Sequence, residues 1–149
     1  MKYKKLLWGI LAVLLLFIWG NSCLPVDISA EESRRILELL TPLLDLFFGE
    51  GQTSHHMVRK LAHVTEFTAL GAVIALLLLG GRAITGRRVS LAFAFGLTAA
   101  FFDESIQMFS DRGDQIRDVW IDLLGVSLGT GLILLALWLY RRCQGRRRS

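Results

Sequence analysis

Residues that interrupt helices or cross-link chains are scarce in this sequence: two of its 149 residues are proline and two are cysteine. The cysteines lack the spacing of a zinc site, and no Ser or Cys nucleophile arrangement stands out. No repeat, linker or low-complexity stretch divides the chain, whose only biased segment is the basic tail 146–148. These absences predict one domain, residues 1–149, without an internal boundary.

Long apolar runs are what the sequence does have: it is 53% hydrophobic, with a mean hydropathy of +0.49. A helix needs roughly 20 apolar residues to cross a bilayer core of about 30 Å. Lipid offers no partners for exposed backbone groups, so each run is expected to be helical. Four runs are long enough: 6–26, 61–81, 89–109 and 119–140. The sequence therefore predicts an all-α integral membrane bundle of four transmembrane helices.

The first run has a second interpretation, because three lysines followed by an apolar stretch also begin secretory signal peptides. The apolar stretch 6–19 is long for a signal core, and the small-residue pattern of a cleavage site is poor. A lipoprotein cleavage site at Cys23 is also disfavoured, because Gly20 stands where an aliphatic residue is expected. An uncleaved membrane anchor is the favoured interpretation.

The distribution of basic residues predicts the orientation. With alternating spans, one face receives both termini and the loop between the second and third runs. That face holds 11 of the 17 Lys and Arg, namely Lys2, Lys4, Lys5, Arg82, Arg87, Arg88, Arg141, Arg142, Arg146, Arg147 and Arg148. Since an excess of Lys and Arg marks the cytoplasm, both termini are predicted to be cytoplasmic. All 13 Asp and Glu fall in the outer connections or in the outer halves of spans.

Several function classes are disfavoured by this distribution. The inner halves of the spans lack ionisable residues, which argues against a channel or transporter. The basic tail 146–148 is explained by contact with anionic lipid headgroups, so no nucleic-acid partner is predicted. Cys23 and Cys143 lie on opposite faces of the membrane, which excludes an intrachain disulfide.

The first outer connection, 29–50, predicts an amphipathic helix. Ser29 and Glu32 fit a capping box, and apolar residues recur at helical spacing from Ile36 to Phe48. Such a helix lies in the interface plane, and Pro42 would kink or split it. A helix that covers the bundle is favoured over a lid above a site.

Five ionisable residues interrupt the last three runs: His63, Glu66, Asp103, Glu104 and Asp122. Such residues normally face a bundle interior or a water-filled pocket. At 1.5 Å per residue, Glu66, Glu104 and Asp122 lie roughly 5 to 8 Å below the outer boundary. Antiparallel packing is therefore expected to bring three helices together in one polar layer.

Helical spacing adds further polar residues to this layer, because residues three and four apart lie on the same face of a helix. Three sets fit: Lys60, His63 and Glu66; Glu104, Gln107 and Asp111; and Asp114, Asp118 and Asp122, whose stripe continues through Gly125 and Gly129. The two glycines predict close packing of the last helix, and packing within the bundle is favoured over dimerisation. The turn 110–118 adds Arg112, which suits bidentate recognition of carboxylate or phosphate.

The order of these motifs resembles the VanZ-like family, named after an accessory teicoplanin-resistance protein. Phe67 is a departure, because members often carry Tyr at that position. The resemblance covers about residue 57 to the end of the fourth span and implies a bacterial cytoplasmic-membrane protein linked to glycopeptide or lipoglycopeptide susceptibility. The segments that carry it are Arg59-Lys60-Leu61-Ala62-His63-Val64-Thr65-Glu66-Phe67, Asp103-Glu104-Ser105-Ile106-Gln107-Met108-Phe109, Arg112, Asp114, Asp118 and Asp122-Leu123-Leu124-Gly125.

Three functions stay open at this point. The polar layer could be a structural network in a non-catalytic scaffold, although interhelical hydrogen bonds in membranes average only about 0.6 kcal/mol. It could bind an anionic envelope lipid or a polyprenyl-phosphate-linked precursor, with Arg59, Lys60 and Arg112 on the phosphate. It could also be a membrane enzyme, which is the less favoured hypothesis.

The predicted site follows from these hypotheses. No metal and no cofactor are predicted, because a single His among carboxylates is more often hydrogen-bonded than metal-bound. The oligomeric state is not predicted. Candidate acids, bases or metal ligands of an enzyme are His63, Glu66, Glu104 and Asp118. The predicted ligand-binding residues are Lys60, His63, Glu66, Glu104, Gln107, Arg112, Asp114 and Asp118.

Overall fold

The structure, a computed structural model, describes residues 2–24, 34, 38, 46, 54–109 and 116–146. Each of the four helices within these residues is long and apolar enough to cross a membrane. The predicted all-α membrane bundle is therefore confirmed. The first two helices end before the predicted span limits of 26 and 81. The helices are α1 Lys2–Ser22, α2 His55–Leu79, α3 Gly86–Phe109 and α4 Ile116–Arg146.

Local side-chain and backbone features define the ends of α2 and the start of α3. Ser54 caps α2, because its hydroxyl oxygen accepts the backbone N–H of Met57 at 3.3 Å. After α2, Gly81 adopts a φ of 68°, a conformation that is readily available only to glycine. Thr85 then accepts the N–H of Arg88 at 3.4 Å, so a short turn joins two antiparallel helices.

The connection between α1 and α2 is described at three positions, Arg34, Glu38 and Leu46, each of which is helical and exposed. The rest of the predicted amphipathic helix lies outside the described residues, so that helix stays a prediction. The turn between α3 and α4, with Arg112 and Asp114, also falls in a part of the chain that the structure does not describe.

The most extensive helix pair is α2 with α4, and small residues bring the two backbones together. Gly125 lies against the Val64 carbonyl oxygen and the Phe67 side chain, and Gly129 lies against Thr68 and Ala72. Glycine permits this approach because it has no Cβ atom. The prediction that the two glycines pack within the bundle is confirmed.

The side of α4 next to these glycines packs against α2 and α3. Val126 is fully buried and touches the backbone of α2 at Gly71 and of α3 at Gly96. Its core cluster also contains Ile18 of α1 and Phe67 of α2. Large apolar side chains are exposed along all four helices, among them Leu16, Leu61, Phe101 and Leu132. These exposed faces suit contact with lipid rather than water.

Candidate functional site

Buried polar side chains gather at one end of the bundle, where α1 and α3 end and α2 and α4 begin. We call this end the polar end and its side chains the polar cluster. All four helices contribute, so the cluster exists only in the assembled bundle. Its members are Asn21, Ser22, Arg59, Lys60, His63, Glu66, Asp103, Glu104, Gln107, Asp118 and Asp122.

His63 occupies the centre of the polar cluster. Its Nδ1 lies 3.3 Å from Asp122 Oδ1 and 3.6 Å from Asp103 Oδ2. The two aspartates are 1% and 0% exposed. The imidazole ring stacks on the buried Phe67 ring, with 6.4 Å between ring centroids. Phe67 thus provides an apolar wall for the histidine.

Hydrogen bonds from one residue of α1 and one residue of α3 hold the Asp103 carboxylate. Ser22 donates its hydroxyl to Oδ1 at 2.6 Å, and Gln107 donates its amide to Oδ2 at 2.8 Å. Gln107 also donates to the Ser22 hydroxyl oxygen at 3.4 Å. These bonds join the end of α1 to α3 and give the buried carboxylate the donors that a charge in a membrane requires.

Further contacts surround this centre. The Lys60 ammonium lies 2.9 Å from Asp118 Oδ1. The Arg59 guanidinium donates to the Gln107 amide oxygen at 3.2 Å. Asn21 donates to Glu66 at 3.5 Å, so Glu66 is held at the α1 side of α2.

A small cleft opens between α2, α3 and α4 in the polar cluster. Its free volume is about 10 Å³, close to the space that one water molecule needs. Glu104 and Asp122 line it. Neither oxygen of Glu104 has a hydrogen-bond partner in the described part of the chain, although this side chain is only 8% exposed. The cleft therefore suits an ion or a water molecule rather than a whole headgroup.

The structure brings together six of the eight residues predicted to bind a ligand. Their role in binding or catalysis stays a prediction, as does the role of Arg112 and Asp114, which lie beyond the described ranges. The six are Lys60, His63, Glu66, Glu104, Gln107 and Asp118.

Other members of the cluster were not chosen from the sequence. Asp103 and Asp122 were noted as intramembrane acids but not as site residues, yet both contact His63. Asn21 and Ser22 of α1 were missed. The sequence signal for them is two consecutive polar residues near the end of an otherwise apolar run. That end of the run is expected at a depth close to that of Glu66.

Comparison with known proteins agrees with this architecture. Residues 7–138 match the family model described as VanZ/LLP1. The chain is 34% identical over 97 residues to the uncharacterized membrane protein YwnJ of Bacillus subtilis (strain 168), and the match covers 65% of this chain and 64% of that protein. No solved structure matches the chain. Since the matched region includes parts of all four helices, this multi-pass membrane protein belongs to the VanZ/LLP1 family.

Proposed function

We propose that this protein binds the anionic headgroup of a cell-envelope lipid or lipid-linked precursor at the polar end of the bundle. In this proposal the polar end faces the outside of a bacterial cytoplasmic membrane. Arg59 carries the argument, because its described polar contact is the neutral amide of Gln107. No carboxylate pairs with this guanidinium in the described residues, so its charge is available to an anion.

Lys60 supports the same assignment. It lines the cleft beside Arg59, and its side chain is 30% exposed while it contacts Asp118. Asp118 is the more buried partner, with a side chain that is 16% exposed. A phosphate group can share the ammonium with Asp118, because an ammonium carries three N–H donors. The headgroup would lie above the cleft, which is too small to contain it.

An apolar groove supplies a second argument for a lipid. It lies among α1, α2 and α3, has a free volume of about 380 Å³, and is bounded near the polar end by Trp19 and Phe102. Phe102 is next in sequence to Asp103 of the polar cluster. The lining is largely aliphatic and aromatic, with Leu15 and Ile74 among its members. A hydrocarbon chain at membrane depth is its natural occupant, because no water competes for this surface.

Retention of such a lipid at the outer surface would give a physical route to altered glycopeptide susceptibility. The retained lipid or precursor would be masked from a drug that acts on the envelope surface. A non-catalytic scaffold is the second candidate, and it is favoured by the buried bonds among Ser22, Asp103 and Gln107. These bonds connect two helices whether or not a lipid binds.

The proposal predicts a loss of bound lipid when the two charges are neutralised. We expect native mass spectrometry with lipid extraction to find a phosphate-bearing lipid on the wild type. The double variant Arg59→Gln, Lys60→Gln should hold it at least about tenfold more weakly, because each lost charge-assisted hydrogen bond is worth about 1.5–3 kcal/mol. Arg87→Gln is the matched control, since Arg87 is exposed at the opposite end of the bundle.

Two results would contradict this proposal. One is a wild-type protein that carries no specific lipid, and the other is a folded double variant that keeps its lipid. A double variant that loses its helical fold in detergent would instead favour the scaffold function.

The proposed orientation predicts which cysteine reacts from outside the cell. Cys23 and Cys143 are both free and exposed. Cys23 lies directly after α1 at the polar end, and Cys143 lies in the last turn of α4 at the opposite end of the bundle. In intact cells, a membrane-impermeant maleimide should label Cys23 in the Cys143→Ser variant and leave Cys143 unlabelled in the Cys23→Ser variant. Cys143 should react once the membrane is opened. If Cys143 alone were labelled in intact cells, the protein would have the opposite orientation to the one proposed.

A further inference from the structure

We propose that His63, Asp103 and Asp122 form a binding site for one divalent transition-metal ion, such as Zn²⁺ or Mn²⁺, with Glu104 beside it as a further ligand. This inference goes beyond lipid binding and does not require it. It concerns the cleft inside the polar cluster, whereas the proposed headgroup contacts lie at the mouth of that cleft.

Geometry is the first argument for the site. One ligand atom from each of the three residues lies within 4.8 Å of the other two. The two distances from His63 Nδ1 to the aspartate oxygens are 3.3 and 3.6 Å. Ligand atoms at about 2.1 Å from a tetrahedral ion are separated from one another by about 3.4 Å. The imidazole and the two carboxylates therefore already stand close to coordinating positions.

Unsatisfied buried acceptors are the second, independent argument. Glu104 lines the cleft and is more than nine-tenths buried. Both of its carboxylate oxygens lack a hydrogen-bond partner among the residues that the structure describes. Asp122 Oδ2 also lacks a partner there. Buried carboxylate oxygens are normally hydrogen-bonded or bound to a metal ion, because an unpaired buried charge is costly.

The excess of negative charge in the cleft also favours a bound cation. The proposed ligands include three carboxylates, those of Asp103, Asp122 and Glu104, whereas His63 supplies at most one positive charge. Of the two basic residues that line the cleft, Lys60 is paired with Asp118 and Arg59 contacts the Gln107 amide. A divalent cation would offset the excess negative charge at membrane depth, where ionised groups pair with one another or line a functional site.

The ligand set indicates the class of metal. Imidazole suits Zn²⁺ and other late transition metals, whereas carboxylates suit Mn²⁺ and the alkaline-earth ions. One imidazole with carboxylates therefore favours Zn²⁺ or Mn²⁺ over Mg²⁺ or Ca²⁺. The hydrogen bonds that Ser22 and Gln107 donate to Asp103 would orient that ligand, as outer partners do in metal sites.

The test uses the full-length protein in detergent, stripped with EDTA and titrated with MnCl₂ or ZnCl₂ alone. We expect about one ion per chain. Asp122→Asn should weaken binding by about 100-fold, because loss of a ligand costs at least as much as loss of an outer partner. The matched control is Glu38→Gln, which removes an exposed carboxylate outside the polar cluster and should bind metal like the wild type.

A second measurement keeps the test informative if Asp122→Asn does not fold. Pulsed electron paramagnetic resonance of bound Mn²⁺ should show coupling to an imidazole nitrogen in the wild type, and His63→Gln should lose it. Glu104→Gln should weaken binding by at least about tenfold. The proposal is overturned if folded wild-type protein binds no stoichiometric ion, or if folded Asp122→Asn binds as tightly as Glu38→Gln. Because metal alone is the probe, failure of lipid binding would leave this result unaffected.

Discussion

Replacement of His63 by leucine should lower the free energy of unfolding by about 3–5 kcal/mol, the usual cost of leaving a buried charge without its partner. The imidazole lies between Asp103 and Asp122, both of which are fully buried. Leucine would leave these carboxylates facing an apolar side chain at membrane depth. The measurement is unfolding in mixed micelles followed by circular dichroism, with EDTA present to remove any metal contribution.

Two further variants separate this effect from a general loss of packing. Thr65→Val is the control, because Thr65 is exposed on α2 and its hydroxyl bonds only the Leu61 carbonyl among the described contacts. It should change the unfolding free energy by less than about 0.5 kcal/mol. Adding Asp122→Asn to His63→Leu should recover part of the loss, since one uncompensated charge disappears. Equal stability of His63→Leu and Thr65→Val would show that the histidine does not compensate the aspartates.

Replacement of Gly129 by alanine should cost about 1–3 kcal/mol of stability, the usual range for overpacking a tight core. A Cβ atom at this position would collide with the Thr68 carbonyl oxygen and lie 2.7 Å from the Ala72 nitrogen. Both atoms belong to the α2 backbone, so no flexible side chain can move aside. The α2–α4 pair would have to separate, and unfolding in mixed micelles measures the loss.

Gly131 provides a control on the same helix. A Cβ atom there would meet nothing within 4 Å, and alanine is the better helix former by about 1 kcal/mol. Gly131→Ala should therefore leave stability unchanged or raise it slightly. If both alanine variants behaved alike, close contact between α2 and α4 at Gly129 would be contradicted.

The polar cluster contains two kinds of residue, and the difference bears on function. Asp103, Gln107 and Ser22 bond one another, as expected of groups that hold helices in register. Glu104 lacks a partner in the described residues, and Arg59 contacts a neutral amide. A network selected only for stability would be expected to satisfy these two groups as well. The proposed anion site therefore uses Arg59, and the proposed cation site adds Glu104 to His63, Asp103 and Asp122.

Length and composition were enough to predict the membrane architecture. The four apolar runs became the four helices, and the acids clustered in depth because α2, α3 and α4 alternate in direction. Helical spacing placed Lys60 and His63 on one face of α2, and both line the cleft. These features depend on the periodicity of one helix at a time and on the thickness of a bilayer, so they can be read from the sequence.

Only the tertiary structure decided which side chains meet. The direct contacts of His63 with Asp103 and Asp122, and the contact of Ser22 with Asp103, depend on how each helix is rotated about its axis and how far it is shifted along its neighbours. Those two quantities are set by packing, above all by the approach of α4 to α2 at Gly125 and Gly129. Since periodicity within one helix carries no information about its rotation relative to another, the sequence predicted the depth of the polar layer but not its contacts.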